Sequence, residues 1–214
     1  MQPIHRRFLV LAMLAIALGS CGLGRDIRGS DHGALLPALR MVVNLRDDEP
    51  GGRSHSVTEF EIDAAGADGD FANAGIKAGE YRLAEGGVAM RFGRRIRDRV
   101  QFVGITGMGL NRFDLSDSMV DDEETELGLR LGAEARVEIK SWMSGHARVL
   151  TFLRPFDLLS TQAEVALVFG NPNELGLLVG YKVWRFVDES SSFAGVDEVD
   201  LKVDGLFIGM EVRF

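Results

Sequence analysis

Cysteine occurs once among the 214 residues, so no intrachain disulfide can brace this chain. Histidine occurs only four times. No Gly-x-Ser-x-Gly, His-Glu-x-x-His or Cys/His metal spacing is present, which leaves the common hydrolase and metal-site signatures unfilled. Proline is rare at five residues, and no long helical period runs through the sequence. Past the first twenty residues no stretch is apolar enough for a transmembrane helix, which needs about 20 residues. Acids outnumber bases to give a net charge of −8, and an acidic chain is poorly suited to neutralising nucleic-acid phosphates. Glycine, by contrast, is abundant at 26 residues, and short alternating apolar patterns recur to the end of the chain. The composition reads as all-β.

The N-terminus has the layout of a secretion signal. Arg6 and Arg7 precede an apolar run from Phe8 to Leu18, too short for a bilayer span but suited to a signal core. Leu18-Gly19-Ser20-Cys21 then resembles the bacterial lipoprotein signal, in which the cysteine after the cut receives the lipid. The resemblance implies a signal peptide over residues 1–20, lipid attachment at Cys21 and a mature chain of 194 residues with a net charge of −10, since the lost segment carries two arginines and no acid. Residues 21–53 read as a lipidated linker closed by Pro50-Gly51-Gly52. Inside it, Ala34–Leu45 is apolar enough to dock as a short helix, a lumen plug or an extra strand.

From residue 54 onward the period is two, the signature of strands with two unlike faces. The clearest case runs from Leu127 through Leu129, Leu131, Ala133, Ala135 and Val137 to Ile139, with Gly128, Arg130, Gly132, Glu134, Arg136 and Glu138 between them. Those twelve steps span ~40 Å, enough for a tilted strand to cross the ~25 Å apolar band of a membrane barrel. Similar patterns occupy 161–169, 175–183 and 206–214, and less regular ones fill 54–65, 78–93, 98–112 and 145–154. A phase change is expected across Gly86-Gly87, where a bulge would sit. The sum is an eight-stranded antiparallel up-and-down barrel over residues 54–214. Short turns are expected at 93–97, 142–145 and 170–173, and longer polar links at 66–77, 113–124 and 189–197.

The last strand places Leu206, Ile208, Met210, Val212 and Phe214 on one face. A closing strand that ends in a C-terminal Phe resembles the assembly signal of bacterial outer-membrane β-barrels. The resemblance implies secretion in a Gram-negative cell, insertion by the barrel-assembly machinery, contact with outer-membrane lipids and a non-catalytic role in the cell envelope. It also puts residue 53 and Phe214 on the periplasmic side, with the Cys21 lipid in the inner leaflet. A soluble lipocalin-like lipoprotein would show the same alternation with its faces reversed, around a small apolar ligand. Three features favour the membrane form: glycines on the polar face (Gly128, Gly132, Gly176, Gly180, Gly209), two aromatic girdles (Phe92, Trp142, Phe169, Phe214 and Phe113, Phe156, Trp184, Phe186), and no Gly-x-Trp early in the barrel.

In that form the charges at Glu80, Arg82, Arg148, Glu164, Lys182, Glu211 and Arg213 would join the polar face of the 127–139 strand in a lumenal network, making a plug and not a channel. The basic turn with Arg94, Arg95, Arg97 and Arg99 suits anionic lipid headgroups. Asp117, Asp121, Asp122 and Glu123 form an acidic outer link that offers oxygen ligands without the calcium-loop spacing, so no metal or other cofactor is expected. It is a surface through which an envelope protein or other surface ligand can be met. A lipid-modifying enzyme would need a nucleophile beside a base. His146 follows Ser141 and Ser144, but on the expected periplasmic side, away from outer-leaflet lipid.

Overall fold

The computed structural model describes residues 32–47, 54–73, 76–96, 99–117, 121–154, 157–170, 174–188 and 199–214. Nine strands fill almost all of them: β1 (His32–Asp47), β2 (Ser54–Asn73), β3 (Ile76–Ile96), β4 (Val100–Asp117), β5 (Asp121–Lys140), β6 (Met143–Arg154), β7 (Asp157–Gly170), β8 (Leu175–Asp188) and β9 (Val199–Arg213). They close into one barrel in sequence order. Neighbours in sequence pair antiparallel, whereas β1 and β9 pair parallel. Parity demands this: nine alternating strands leave the first and last pointing the same way, so closure needs one parallel seam.

The expected count of eight is therefore corrected to nine. The added strand is β1, which takes up Ala34–Leu45, the stretch the sequence left open between helix, plug and strand. It pairs with β9 from His32↔Asp204 to Val42↔Arg213 and with β2 from Ala38↔Ala65 to Asp47↔Val57. Residues 32–47 are thus barrel wall, not linker, and they cross from one rim to the other. His32 begins at the rim opposite Phe214. Cys21 lies outside the described residues.

At the rim that holds Phe214, the gaps between strands are 48–53, 97–99, 141–142 and 171–174; at the other they are 74–75, 118–120, 155–156 and 189–198. Two of the expected long links are largely zipped into hairpins. The β2–β3 ladder continues to Asn73↔Ile76 and the β4–β5 ladder to Ser116↔Asp121. Strands β2–β5 are 18–21 residues long against 12–15 for β6–β9, so half of the wall stands about 20 Å of strand higher. The expected bulge at Gly86-Gly87 is also corrected. Both ladders of β3 run through it in unbroken register, with Glu85, Gly87 and Ala89 on one face.

Strand alternation decides what faces in. The outer surface carries Leu127, Leu129, Leu131, Val137 and Ile139 of β5, with Val149, Val165, Leu177 and Leu206 on other strands; Val165 is 65% exposed. Leu206, Ile208, Met210, Val212 and Phe214 share that outer face, since the alternate Phe207 and Glu211 are buried within. All five glycines singled out above sit on the inner face. A Cβ on Gly128 would lie 2.6 Å from the Phe152 ring, so the lumen is as crowded there as its glycines suggest.

The aromatic girdle at the Phe214 rim is found: Phe92, Trp142 and Phe214 are exposed, and Trp142 stacks on Phe169 at 6.4 Å. The second girdle is not. Phe113, Trp184 and Phe186 point inward and are buried, with Phe113 and Phe186 stacked at 4.8 Å. They join Leu36, Tyr81, Leu83, Phe152, Leu178 and Phe207 in an apolar core inside the barrel. Phe156 lies outside the described residues.

Candidate functional site

The other part of the interior is a charged lattice to which every strand except β4 contributes a member. Its centre is Arg91 on β3, fully buried. Alternation on β2 turns Glu59, Glu61 and Asp63 inward, because Thr58, Phe60 and Ile62 take the outer face. Arg91 Nε lies 3.0 Å from Glu59 Oε2, Nη1 donates to Glu61, and Nη2 donates to Glu134 of β5 at 2.8 Å. Arg148 of β6 bridges Glu61 at 2.6 Å and Asp63 at 3.0 Å through Nη2. Arg130 of β5 grips both oxygens of Asp63, at 2.8 Å for Nη2. Its Nε lies 3.5 Å from Glu85, whose other oxygen accepts from Ser160 at 2.8 Å.

Across the lumen, Arg40 of β1 donates to Glu164 of β7 and lies 3.5 Å from Glu211 and 3.6 Å from Glu134. His146 Nε2 sits 3.0 Å from Glu164, and Lys182 lies 3.8 Å from the second oxygen of that carboxylate. Lys182 also stands over the rings of Trp184 and Phe207, at 5.2 and 5.6 Å, which joins the charged lattice to the apolar core. Toward the Phe214 rim, Arg136 Nη1 donates to Glu211 at 2.6 Å and its Nε to Ser144 at 3.1 Å. Arg213 donates to Glu211 at 2.8 Å and to Glu59 at 2.9 Å.

These partners balance. Arg40, Arg91, Arg130, Arg136, Arg148, Lys182 and Arg213 face Glu59, Glu61, Asp63, Glu85, Glu134, Glu164 and Glu211, seven of each sign. A buried charge without a partner is costly, so neutrality is what allows so polar an interior to pack. Mid-lumen, among Arg40, Asp63, Arg130, Arg148 and Lys182, the space left is about 20 Å³, room for about one water.

The sequence reading located Arg130, Glu134, Arg136, Arg148, Glu164, Lys182, Glu211 and Arg213 on this face, but misassigned Glu80 and Arg82. Those two are exposed on the outer face, alternating with the buried Tyr81 and Leu83. It missed Arg40, Glu59, Glu61, Asp63, Glu85 and Arg91. The signal was present in Glu59-x-Glu61-x-Asp63, three carboxylates at period two. Ser144 and His146 are both engaged elsewhere, Ser144 by Arg136 and His146 by Glu164.

The basic turn divides. Arg94 is exposed on the outer face. Arg95 turns inward, where it donates to Gln101 at 3.5 Å, and Arg99 stands in the turn. Arg97 lies outside the described residues, as do the side chains of Asp117, Asp121, Asp122 and Glu123. One carboxylate, Asp204, is buried on the outer face, where it accepts the Tyr181 hydroxyl.

No family model matches this chain, and no curated protein or solved structure is found to be similar to it.

Proposed function

We propose that the chain is an outer-membrane β-barrel lipoprotein of a Gram-negative envelope, anchored through Cys21, with a non-catalytic role in structure or surface interaction. One observation supports the reading: apolar side chains face outward and charged ones inward, the arrangement expected of a membrane barrel. Large apolar side chains ring the outside, Leu127 at 59% exposure among them, while fourteen charged groups are gathered inside. In water that arrangement exposes the wrong face twice over; in a bilayer it satisfies both. The soluble lipocalin-like alternative needs an apolar cavity, and the lumen is packed instead with ion pairs and aromatic rings.

The barrel then acts as a closed wall. Its lattice leaves no room for conduction, and its variable parts are the tall hairpins β2–β3 and β4–β5 with their acidic ends. These offer the surface for an envelope protein or other ligand, while the exposed Arg94 meets lipid headgroups at the opposite rim. Phe214 and the outer residues of β9 serve as the signal to the assembly machinery.

The test is to express the full chain in a Gram-negative host, fractionate the envelope, and run the detergent-extracted protein with and without boiling. An outer-membrane chain whose mobility shifts on heating is expected. A chain that stays in buffer without detergent would overturn the reading and point back to a soluble barrel.

A further inference from the structure

Strand β5 outlasts one of its neighbours. Its ladder to β6 ends at Leu129↔Leu153, two residues before Pro155, whose nitrogen carries no hydrogen with which to continue it. Its ladder to β4 runs on to Ser116↔Asp121. Among the described residues, 121–128 of β5 therefore have a strand on one side only. The corresponding edge of β2 is not equivalent, because residues 32–37 of β1 stand beside it, with Leu36 and Ala67 in one apolar core.

Which main-chain groups are open follows from the register. The Glu138 N–H donates to the Arg99 carbonyl at 2.7 Å, on the β4 side, and pairing runs unbroken from there to Asp121. These groups alternate from side to side along a strand, so those of Asp121, Glu123, Thr125 and Leu127 point away from β4. At this height the outer face of the wall carries Glu80, Arg82 and Arg112, all exposed. The edge thus stands clear of the apolar band, within which an open edge would be forbidden.

An open edge accepts another strand, and its charge selects which. Between residues 111 and 128 the sequence holds seven acids and one arginine, Arg112, which Asp114 engages at 2.9 Å. From neighbouring strands, Arg82 pairs in register with Asp114, and Arg154 meets Glu126 at 2.7 Å and pairs in register with Asp157. Negative charge remains in excess after these cations are counted. Two copies meeting edge to edge would set acids against acids, so the charge turns away a second copy of the chain.

We propose that the open edge of β5 docks an extended, lysine- or arginine-rich segment of another protein as an added strand. Main-chain bonds to Asp121, Glu123, Thr125 and Leu127 hold the segment, and the acids of this edge select its charge. The proposal rests on the surface-interaction reading and names the partner's chemistry; it does not rest on the bilayer, because the same edge exists in a barrel free in buffer.

The full chain, in detergent or in buffer as its solubility dictates, is titrated by fluorescence anisotropy with a labelled octapeptide of alternating lysine and threonine. Saturable binding that weakens with salt is expected. Two controls separate strand addition from charge attraction alone. The same peptide N-methylated throughout keeps its charge but has no main-chain donors, and is expected to bind at least about tenfold more weakly. Thr125→Pro removes one N–H on the open side and leaves every charge and the β4 ladder in place, and a loss of at least about tenfold is expected there too. Its folding is checked by heat-shifted mobility; should it not fold, the methylated peptide decides. No binding at millimolar peptide, equal binding of the methylated peptide, undiminished binding by folded Thr125→Pro, or equal binding of a glutamate-for-lysine peptide would overturn the proposal. A heat shift without peptide binding sinks this proposal and leaves the membrane barrel standing; peptide binding without a heat shift does the reverse.

Discussion

Arg130 on β5 reaches Asp63 on β2 by crossing two intervening strands, and it can do so because those strands present glycine. Gly109 on β4 and Gly87 on β3 are paired in register beneath its path. A Cβ on Gly109 would lie 2.5 Å from Arg130 Cδ, and one on Gly87 would lie 2.7 Å from Nη1 and 2.4 Å from the Met108 carbonyl. The fork that meets both oxygens of Asp63 is therefore laid in a glycine trough.

Gly87→Ala is accordingly expected to destabilise the barrel by about 1–3 kcal/mol, the usual cost of overpacking. A rim substitution such as Arg94→Gln should leave stability within about 0.5 kcal/mol. Urea unfolding followed by the heat-sensitive gel band measures both. A neutral Gly87→Ala would mean that Arg130 has another route to Asp63.

Arg91→Met leaves Glu59, Glu61 and Glu134 facing one another without their shared cation. Removing one partner of a buried ion pair costs about 3–5 kcal/mol, and three carboxylates lose a partner here. A second change, Glu61→Leu, is expected to return part of that loss by removing one of the stranded charges. The double-mutant cycle from unfolding midpoints reads the coupling directly; additive losses would count against a shared lattice.

If the outer face meets lipid tails, arginine there should be costly by depth. Val165 lies four residues above Phe169 of the girdle, whereas Leu175 starts β8 at the rim. Val165→Arg is expected to cost about 2–4 kcal/mol and Leu175→Arg about 0–1 kcal/mol. Refolding yields in detergent and in lipid vesicles make the comparison. Equal small costs would speak for a face that sees water.

On the proposed reading, a role of Phe214 in assembly would separate from its role in stability. Its backbone already ties into β1, with its N–H donating to Val42 at 3.1 Å and its carbonyl accepting from Asn44 at 3.0 Å, while its ring is exposed. Phe214→Ala keeps both bonds. It is expected to fold normally when purified and refolded in detergent, yet to reach the outer membrane in several-fold lower amount. A matching loss in both assays would make the ring structural.

The barrel class was legible wherever the two faces of a strand differ in kind. β5 shows this best: every second residue from Leu127 to Ile139 is apolar, and the structure turns all of these outward. β1 was illegible for the opposite reason. Its inner positions Leu36, Ala38 and Val42 are as apolar as its outer Leu35, Leu39 and Met41, because Leu36 joins the apolar core inside. Pro37 further disguises it as a breaker. Trp184 and Phe186 were legible by parity alone, since even positions of β8 carry Gly176, Gly180 and Lys182. Aromatic type suggested a girdle, and parity overruled it.

The parallel seam also has a mechanical meaning. In an up-and-down barrel with an even strand number both chain ends leave by one rim, and pulling them apart peels the closing ladder bond by bond. Here β1 starts at one rim and β9 ends at the other. Tension between the two ends runs along the seam and loads its evenly spaced hydrogen bonds together, in shear. The strand that disguised itself as a linker is the one that lets this wall be held from both sides without unzipping.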